Sequence, residues 1–537
     1  MLRFQPNLQP DSAMNPTNHS CHCPCCSFNR NVQPADLTRR EFLYRVGAAA
    51  ATTSFAFTAL AAGAVQTASA LNIRPPQGAK PLKVQPVLTY EIPQRREKTS
   101  WRSWGGIQTE ADAVAEKARL EAELARLKAK SDFELDILPL AMVAKMDQAK
   151  AVTATDYDVV LVYAAGGGGN LLETLIRPGK SNLMFLRHEP GPAYLWYEIV
   201  HPRFLRKTVD EYAITGLDVN DVVVDDHGEV LWRLRALQGL KNTLGKKIVA
   251  IGGAGGWGEG GQTAPEISRN LWKLNLIDFP YKDLEPLIKA ARQNQSLVRS
   301  CEAAATQYLK ESKVSLHTKR EFVYNAFVLR EVMKDLMEQA GTDAITIQHC
   351  MGTIMGISET TACLPLSLLN DEGFLAFCES DFVVIPSGIL LHYISGKPVF
   401  LNDPTYPHNG VVTLAHCTAP RKMDGKRAER TKILTHFESD YGAAPKVEMR
   451  LGQVCTNLVP DFSCKKWVGF EATIVGNPFL DICRSQIDVK VKGDSAALVE
   501  EMKGFHWMMS YGSYLRETGY ALKKLGVDLH NVSAVKA

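Results

Sequence analysis

Two apolar runs that each break into glycine constrain the fold of this chain more than any other feature. Asp158-Val159-Val160-Leu161-Val162-Tyr163 runs into Ala164-Ala165-Gly166-Gly167-Gly168-Gly169, and Lys247-Ile248-Val249-Ala250-Ile251-Gly252 into Gly253-Ala254-Gly255-Gly256-Trp257-Gly258. A short run without polar alternation is a buried strand, and glycine at its carboxyl end marks a loop. Further apolar strands over 183–186 and 221–224 define a small α/β domain at 135–244. Past a basic helical linker (231–246), a helix over 265–273 and a strand over 274–279 complete a βαβ unit. Helices over 284–312 and 319–340 finish a second Rossmann-like α/β domain at 245–344. Residues 71–134 read as an extended Pro/Arg/Gln-rich arm followed by a helix over 110–130. From 345 to 537 short apolar runs (398–401, 410–415, 447–451, 470–475) alternate with Gly, Pro and Asn turns. The expected class is therefore α/β: two Rossmann-like domains, then a β-rich, barrel-like C-terminal domain with helices over 362–369 and 510–525.

Upstream, Leu37-Thr38-Arg39-Arg40-Glu41-Phe42-Leu43, an Ala-rich run over 47–65 and Ala68-Ser69-Ala70 read as a twin-arginine export signal over 1–70. That route carries folded cargo, so the mature chain is expected in the periplasm. The net charge of +3 includes five Arg and three acidic residues of the leader, which leaves the mature chain near neutrality. Such a balance offers no argument for a nucleic-acid partner. No run after residue 70 is long and apolar enough to predict a membrane span. Of the twelve cysteines, four crowd into Cys21-His22-Cys23-Pro24-Cys25-Cys26, a metal-binding pattern within the leader. The other eight are dispersed without a CxxC pair and read as small apolar residues, with one or two disulfides open to an exported protein.

Several segments carry chemistry, each with a plainer alternative. The glycine run 253–258 satisfies GxGxxG, and Asp278 lies downstream as a nicotinamide-binding fingerprint asks. The helix, however, begins only at Pro265 rather than inside the motif, so a loop is the preferred reading. Cys378-Glu379-Ser380-Asp381 closes an apolar run with two carboxylates that are costly to bury without a cation or hydrogen bonds. They read equally as caps of a helix near 383–391. His416-Cys417 is a zinc pair lacking a second pair, and His436-Phe437-Glu438 reads as a strand face.

Together with Leu369-Asn370-Asp371-Glu372-Gly373, Gly396-Lys397-Pro398-Val399-Phe400, Cys483-Arg484-Ser485-Gln486, Gly504-Phe505-His506 and Tyr511-Gly512, these segments resemble the L-fucose/L-arabinose isomerase family, particularly its shorter fucose-isomerase-like members. The resemblance is dense over 345–527, looser over 150–345, and does not reach 71–130. It implies a divalent-metal site, Mn²⁺ or Mg²⁺, in an aldose–ketose isomerase that passes through an enediol, with a small sugar as substrate and a homo-oligomeric assembly. Carried onto this chain, it implies metal ligands Glu359, Asp381 and His506, with Glu359 and Asp381 catalytic. Glu379, His416 and Arg484 are the implied sugar contacts. Departures are His349-Cys350-Met351-Gly352, where relatives carry an acid after the preceding strand, and Phe505 where they carry Asn. Two alternatives stay open: a noncatalytic exported carbohydrate-binding relative, and an exported NAD(P)-dependent oxidoreductase.

Overall fold

The structure is a computed structural model and describes residues 79–177, 179–194, 205 and 216–534. The export signal and the Cys21–Cys26 cluster lie outside the described residues. The chain is mixed α/β, with parallel sheets and a closed antiparallel barrel of six strands.

The first sheet is parallel throughout, in the order Leu135–Ile137, Leu82–Thr89, Val159–Ala164, Ser181–Leu186, Val222–Val224. A short strand, Ala141–Val143, also pairs with Leu82–Thr89. The arm expected before residue 105 is thus in part a central strand: Val84, Val87 and Leu88 are fully buried. Pro86 within LKVQPVLT disguises it, since proline removes one ladder donor and is rare in central strands. The helix Glu110–Lys130 has the predicted bounds, opened by a capping box in which Thr109 and Asp112 satisfy each other's backbone N–H groups.

The second parallel sheet runs Leu375–Cys378, Ala344–Ile347, Lys247–Ile251, Asn275–Phe279. It takes in a strand well past 344, because 375–378 buries its apolar side chains against the same helices as its neighbour. The expected linker helix is His227–Thr243, and it is mostly buried. It crosses Ile385–Ser395 so closely that a Cβ on Gly239 would come within 2.4 Å of Ile394 Cγ1.

The barrel closes in the order Val454–Val459, Trp507–Tyr511, Phe400–Pro404, Val411–His416, Ser485–Val491, Lys466–Gly476 and back to Val454–Val459. Asp528–Asn531 adds to Lys466–Gly476 in parallel. Its interior is packed with side chains, among them Phe400, Leu414, Phe470, Ile487 and Met509, so it is a core and not a channel. A small sheet of Ala444–Glu448, Arg430–Leu434 and Val314–Leu316 lies alongside in the chain's β-rich half. Among the described residues no helix is long and apolar enough to cross a membrane.

One buried carboxylate of this framework makes a checkable pH prediction. Asp371 ends the helix Cys363–Asp371, accepts a hydrogen bond from Lys422 N at 2.7 Å, and is pushed up to about 6 by burial. A raised folded-state value means stability that is present below the unfolded carboxylate range and lost as pH rises through about 6. Asp371→Asn should therefore be more stable than the parent at pH 8, by about 3 kcal/mol at most, and melt at a higher temperature. That advantage should vanish near pH 4 when the two melting curves are compared.

Candidate metal centre

Barrel register gathers three of the site residues at one rim. Asn402 pairs with Trp507, so Asp403 lies level with His506, the residue just before its strand. Asp403 also pairs with Ala415, next to His416 at the end of Val411–His416. A carboxylate and two imidazoles thereby come from three neighbouring strands.

The acids come from the other side. Leu375–Cys378 ends its parallel sheet, and Glu379 and Ser380 follow at φ 64° and 48°. Two successive non-glycine residues in the left-handed region cost on the order of 1 kcal/mol each, the kind of strain held at sites where the surroundings over-determine the backbone. They turn the chain so that Asp381 leads into the helix Ile385–Ser395: its carbonyl accepts from Val384 N and Ile385 N, and its Oδ1 from Val383 N at 3.0 Å. The helix itself begins after Val384 without a side-chain cap, so Asp381 ties down the turn that precedes it, and that uses only one carboxylate oxygen.

Asp381 Oδ2 lies 2.7 Å from His506 Nδ1. A carboxylate can only accept, so Nδ1 carries the proton and Nε2 is presented to the site. The glycine loop after Lys247–Ile251 serves this pair: Gly255 bridges to Asp381, and Trp257 N donates to Asp381 Oδ1 at 3.2 Å. The loop doubles back so tightly that a Cβ on Gly256 would meet Gly261 O at 2.1 Å. Asp278, the acid expected to read a ribose, accepts from Ala254 N at 2.8 Å instead, and the helix Ala264–Asn270 begins only after a 3₁₀ turn. The loop reading of GxGxxG describes this geometry.

His506 Nε2 faces Glu379 Oε2 at 3.3 Å and Asp403 Oδ1 at 3.2 Å, and His416 Nε2 faces Glu379 Oε1 at 3.7 Å. None of these makes a directed hydrogen bond. His506 Nε2, His416 Nε2 and Asp403 Oδ1 are buried without a hydrogen-bond partner, and one donor atom from each of the three residues lies within 4.8 Å of the other two. Burying unpaired polar atoms is costly, and three of them within reach of one another form a donor set that could hold a cation. His506 is fully enclosed, whereas the side chains of Glu379 and Asp403 keep 29% and 28% of their surface exposed. The site is therefore closed on the imidazole side and open on the carboxylate side. Trp257 stacks on Phe505 at 3.8 Å, and Phe505 meets the His506 ring edge-on, which walls the opening with aromatic surface.

Electrostatics agree with a place for positive charge. Burial pushes the Asp403 carboxyl up to about 6. Burial would also raise Glu379, but the facing His506 and His416 hold it well below the usual carboxylate range. Burial would lower both imidazoles, yet Glu379 with Asp381 and Asp403 raises His506 well above its ordinary value, and Glu379 with Asp403 raises His416.

Of the residues singled out from the sequence, Asp381, Glu379, His416 and His506 come together. Asp381 lies behind His506 on its Nδ1, and Glu379 faces its Nε2. Glu359 does not join them. It ends the short helix Thr353–Ser358 in a left-handed turn (φ 52°), and its half-exposed carboxylate pairs with Arg292. Arg484 is turned elsewhere too, donating to Thr435 O at 2.7 Å and to Thr435 Oγ1 at 3.2 Å. Asp403 was missed, although an acid ending the apolar run Pro398-Val399-Phe400-Leu401 is the same signal that singled out Glu379. Compared with known proteins, the chain matches no family model and no curated protein.

Proposed function

We propose that this chain is a metal-dependent aldose–ketose isomerase of a small sugar, working through an enediol and exported by the twin-arginine route. The observation that carries the reading is the convergence of three buried, unpartnered ligand atoms on His506, His416 and Asp403, with Glu379 at the open side. Glu379, Asp403, His416 and His506 would hold the ion, an oxygen- and imidazole-rich set that suits Mn²⁺ and accommodates Mg²⁺ through its carboxylates. When bound, such an ion polarises a carbonyl and offsets negative charge on an enediolate. Asp381 fixes the tautomer and tilt of His506, the usual task of a carboxylate behind a ligating imidazole. The proton moved between C2 and C1 needs an ionised carboxylate on the open side of the site, where Glu379 and Asp403 keep part of their surface exposed.

The sugar class rests on the family resemblance, as do the homo-oligomer and the view of the two parallel sheets as Rossmann-like domains. The test is to incubate the purified chain with Mn²⁺ and a panel of aldopentoses and 6-deoxyaldohexoses in D₂O, followed by NMR. Ketose formation with deuterium at C1 is the expected result, because an enediol route exchanges the moving proton with solvent. Sugar binding without exchange would favour the noncatalytic reading and defeat this one, as would turnover of a nicotinamide cofactor with none of the aldoses isomerised.

A further inference from the structure

We infer that the chain carries a second metal site, a closed Cys₃His centre of Cys363, Cys417, Cys483 and His436 that binds Zn²⁺. These four residues come from separate elements. Cys363 opens the helix Cys363–Asp371, and Cys417 follows the strand Val411–His416. His436 follows Arg430–Leu434, and Cys483 precedes Ser485–Val491. Pairing of His416 with Ser485 brings the ends of two barrel strands together and sets Cys483 beside Cys417. One ligand atom each from Cys363, Cys417 and His436 lies within 4.8 Å of the others, and all three residues are buried. Cys363 and Cys417 share one small buried cluster, and Cys483 packs against it. A zinc tetrahedron with metal–sulfur bonds of about 2.3 Å spaces its ligand atoms by roughly 3.8 Å, a small adjustment for Cys363, Cys417 and His436, with Cys483 moving in from the same cluster as the fourth donor.

The surroundings resemble the supporting shell of a ligated metal. His436 Nδ1 shares a hydrogen bond with Ser439 Oγ at 3.1 Å, which leaves the other ring nitrogen as the one available to a metal. Arg484 N donates to Cys417 Sγ at 3.4 Å. The Arg484 guanidinium grips Thr435 and lies over the Phe437 ring at 5.1 Å, so it clamps the segment that carries His436 from both sides. An apolar packing role explains Cys363, Cys417 and Cys483 against Ala444, but not a buried imidazole within 4.8 Å of two of those sulfurs. With four protein donors and no open position the centre is structural, tying a helix, the barrel rim and the small sheet together. Thiolates select zinc, while the carboxylate-rich centre next door selects harder ions, so adjacent residues His416 and Cys417 would serve two different metals. This inference does not depend on the isomerase reading.

The test is metal analysis of the full chain purified without chelators, with the protein refolded in Co²⁺ as a second, spectroscopic readout. The expected result is one zinc per chain, retained in a Glu379→Gln/Asp403→Asn variant and lost in Cys417→Ser. The cobalt form should show thiolate-to-metal charge-transfer bands and the intense visible bands of a tetrahedral site. If Cys417→Ser fails to fold, the cobalt spectrum of the unaltered chain decides. Zinc-free protein with its thiols reduced would overturn the inference. So would a disulfide joining any two of the three cysteines, or a cobalt spectrum without thiolate bands.

Discussion

Glu379→Gln is expected to lose both tight Mn²⁺ binding and sugar isomerisation, with kcat falling by roughly 10³–10⁴-fold. Removing the charge takes away one of two carboxylates open to substrate and leaves His506 and His416 facing a neutral amide. Asp381→Asn, beside it in sequence, should behave differently. Its Oδ1 holds a helix turn and the Trp257 amide, and its Oδ2 orients His506 from behind, so the expected loss is the roughly 10–100-fold typical of a supporting partner. Glu359→Gln should leave both properties unchanged, since that carboxylate pairs with Arg292 at the surface. Isothermal titration with Mn²⁺ and steady-state kinetics on the three variants check the ranking. Equal losses in Glu379→Gln and Glu359→Gln would contradict the site as drawn.

Arg187→Met is expected to reduce stability by about 3–5 kcal/mol at neutral pH, measured by urea unfolding. Arg187 is buried between two carboxylates of the helix Glu110–Lys130, reaching Glu116 at 3.3 Å and Glu123 at 2.7 Å, and its Nε donates to Tyr194 Oη at 3.2 Å. Breaking a buried pair from one side leaves the opposite charges stranded, a larger loss than the pair's net worth. The pH dependence has a definite sign. In the parent, burial would raise Glu123 but Arg187 holds it low, which contributes stability above the unfolded carboxylate range and loses it on acidification. Without Arg187, burial raises both acids, so the variant gains relative stability as they protonate. The gap between the two proteins should therefore narrow as pH falls toward about 4, near ordinary carboxylate values. A gap independent of pH would mean that Arg187 contributes by packing alone.

Much of the architecture was legible because the local signals were strong. The helix Glu110–Lys130, the strand Lys247–Ile251 and its glycine loop, and the helix Arg320–Ala340 follow directly from periodicity and breakers. The strand Leu82–Thr89 was not, because Pro86 and the Pro/Arg-rich flanks mimic an extended arm, and only partners from 135–164 show it to be a central strand. The site was legible by residue type and not by role. Glu379 and Asp381 stood out as acids closing an apolar run, but which of them faces the site is set by two left-handed residues no pattern announces.

Glu359 illustrates the limit from the other direction. The family resemblance implies it as a ligand, whereas ligand sets are chosen by where strands end in space. Asp403 and His506 meet because an antiparallel register aligns them across the barrel, more than a hundred residues apart in sequence. The cysteines Cys363, Cys417 and Cys483 carry no CxxC spacing for the same reason: each arrives on a different element. From residues alone came the elements, the α/β and β-rich halves and the kinds of side chain able to hold a cation, since these depend on neighbours a few positions apart. Which of those side chains share a point in space was left to strand register and backbone turns, because contact across a hundred residues has no local energetic trace.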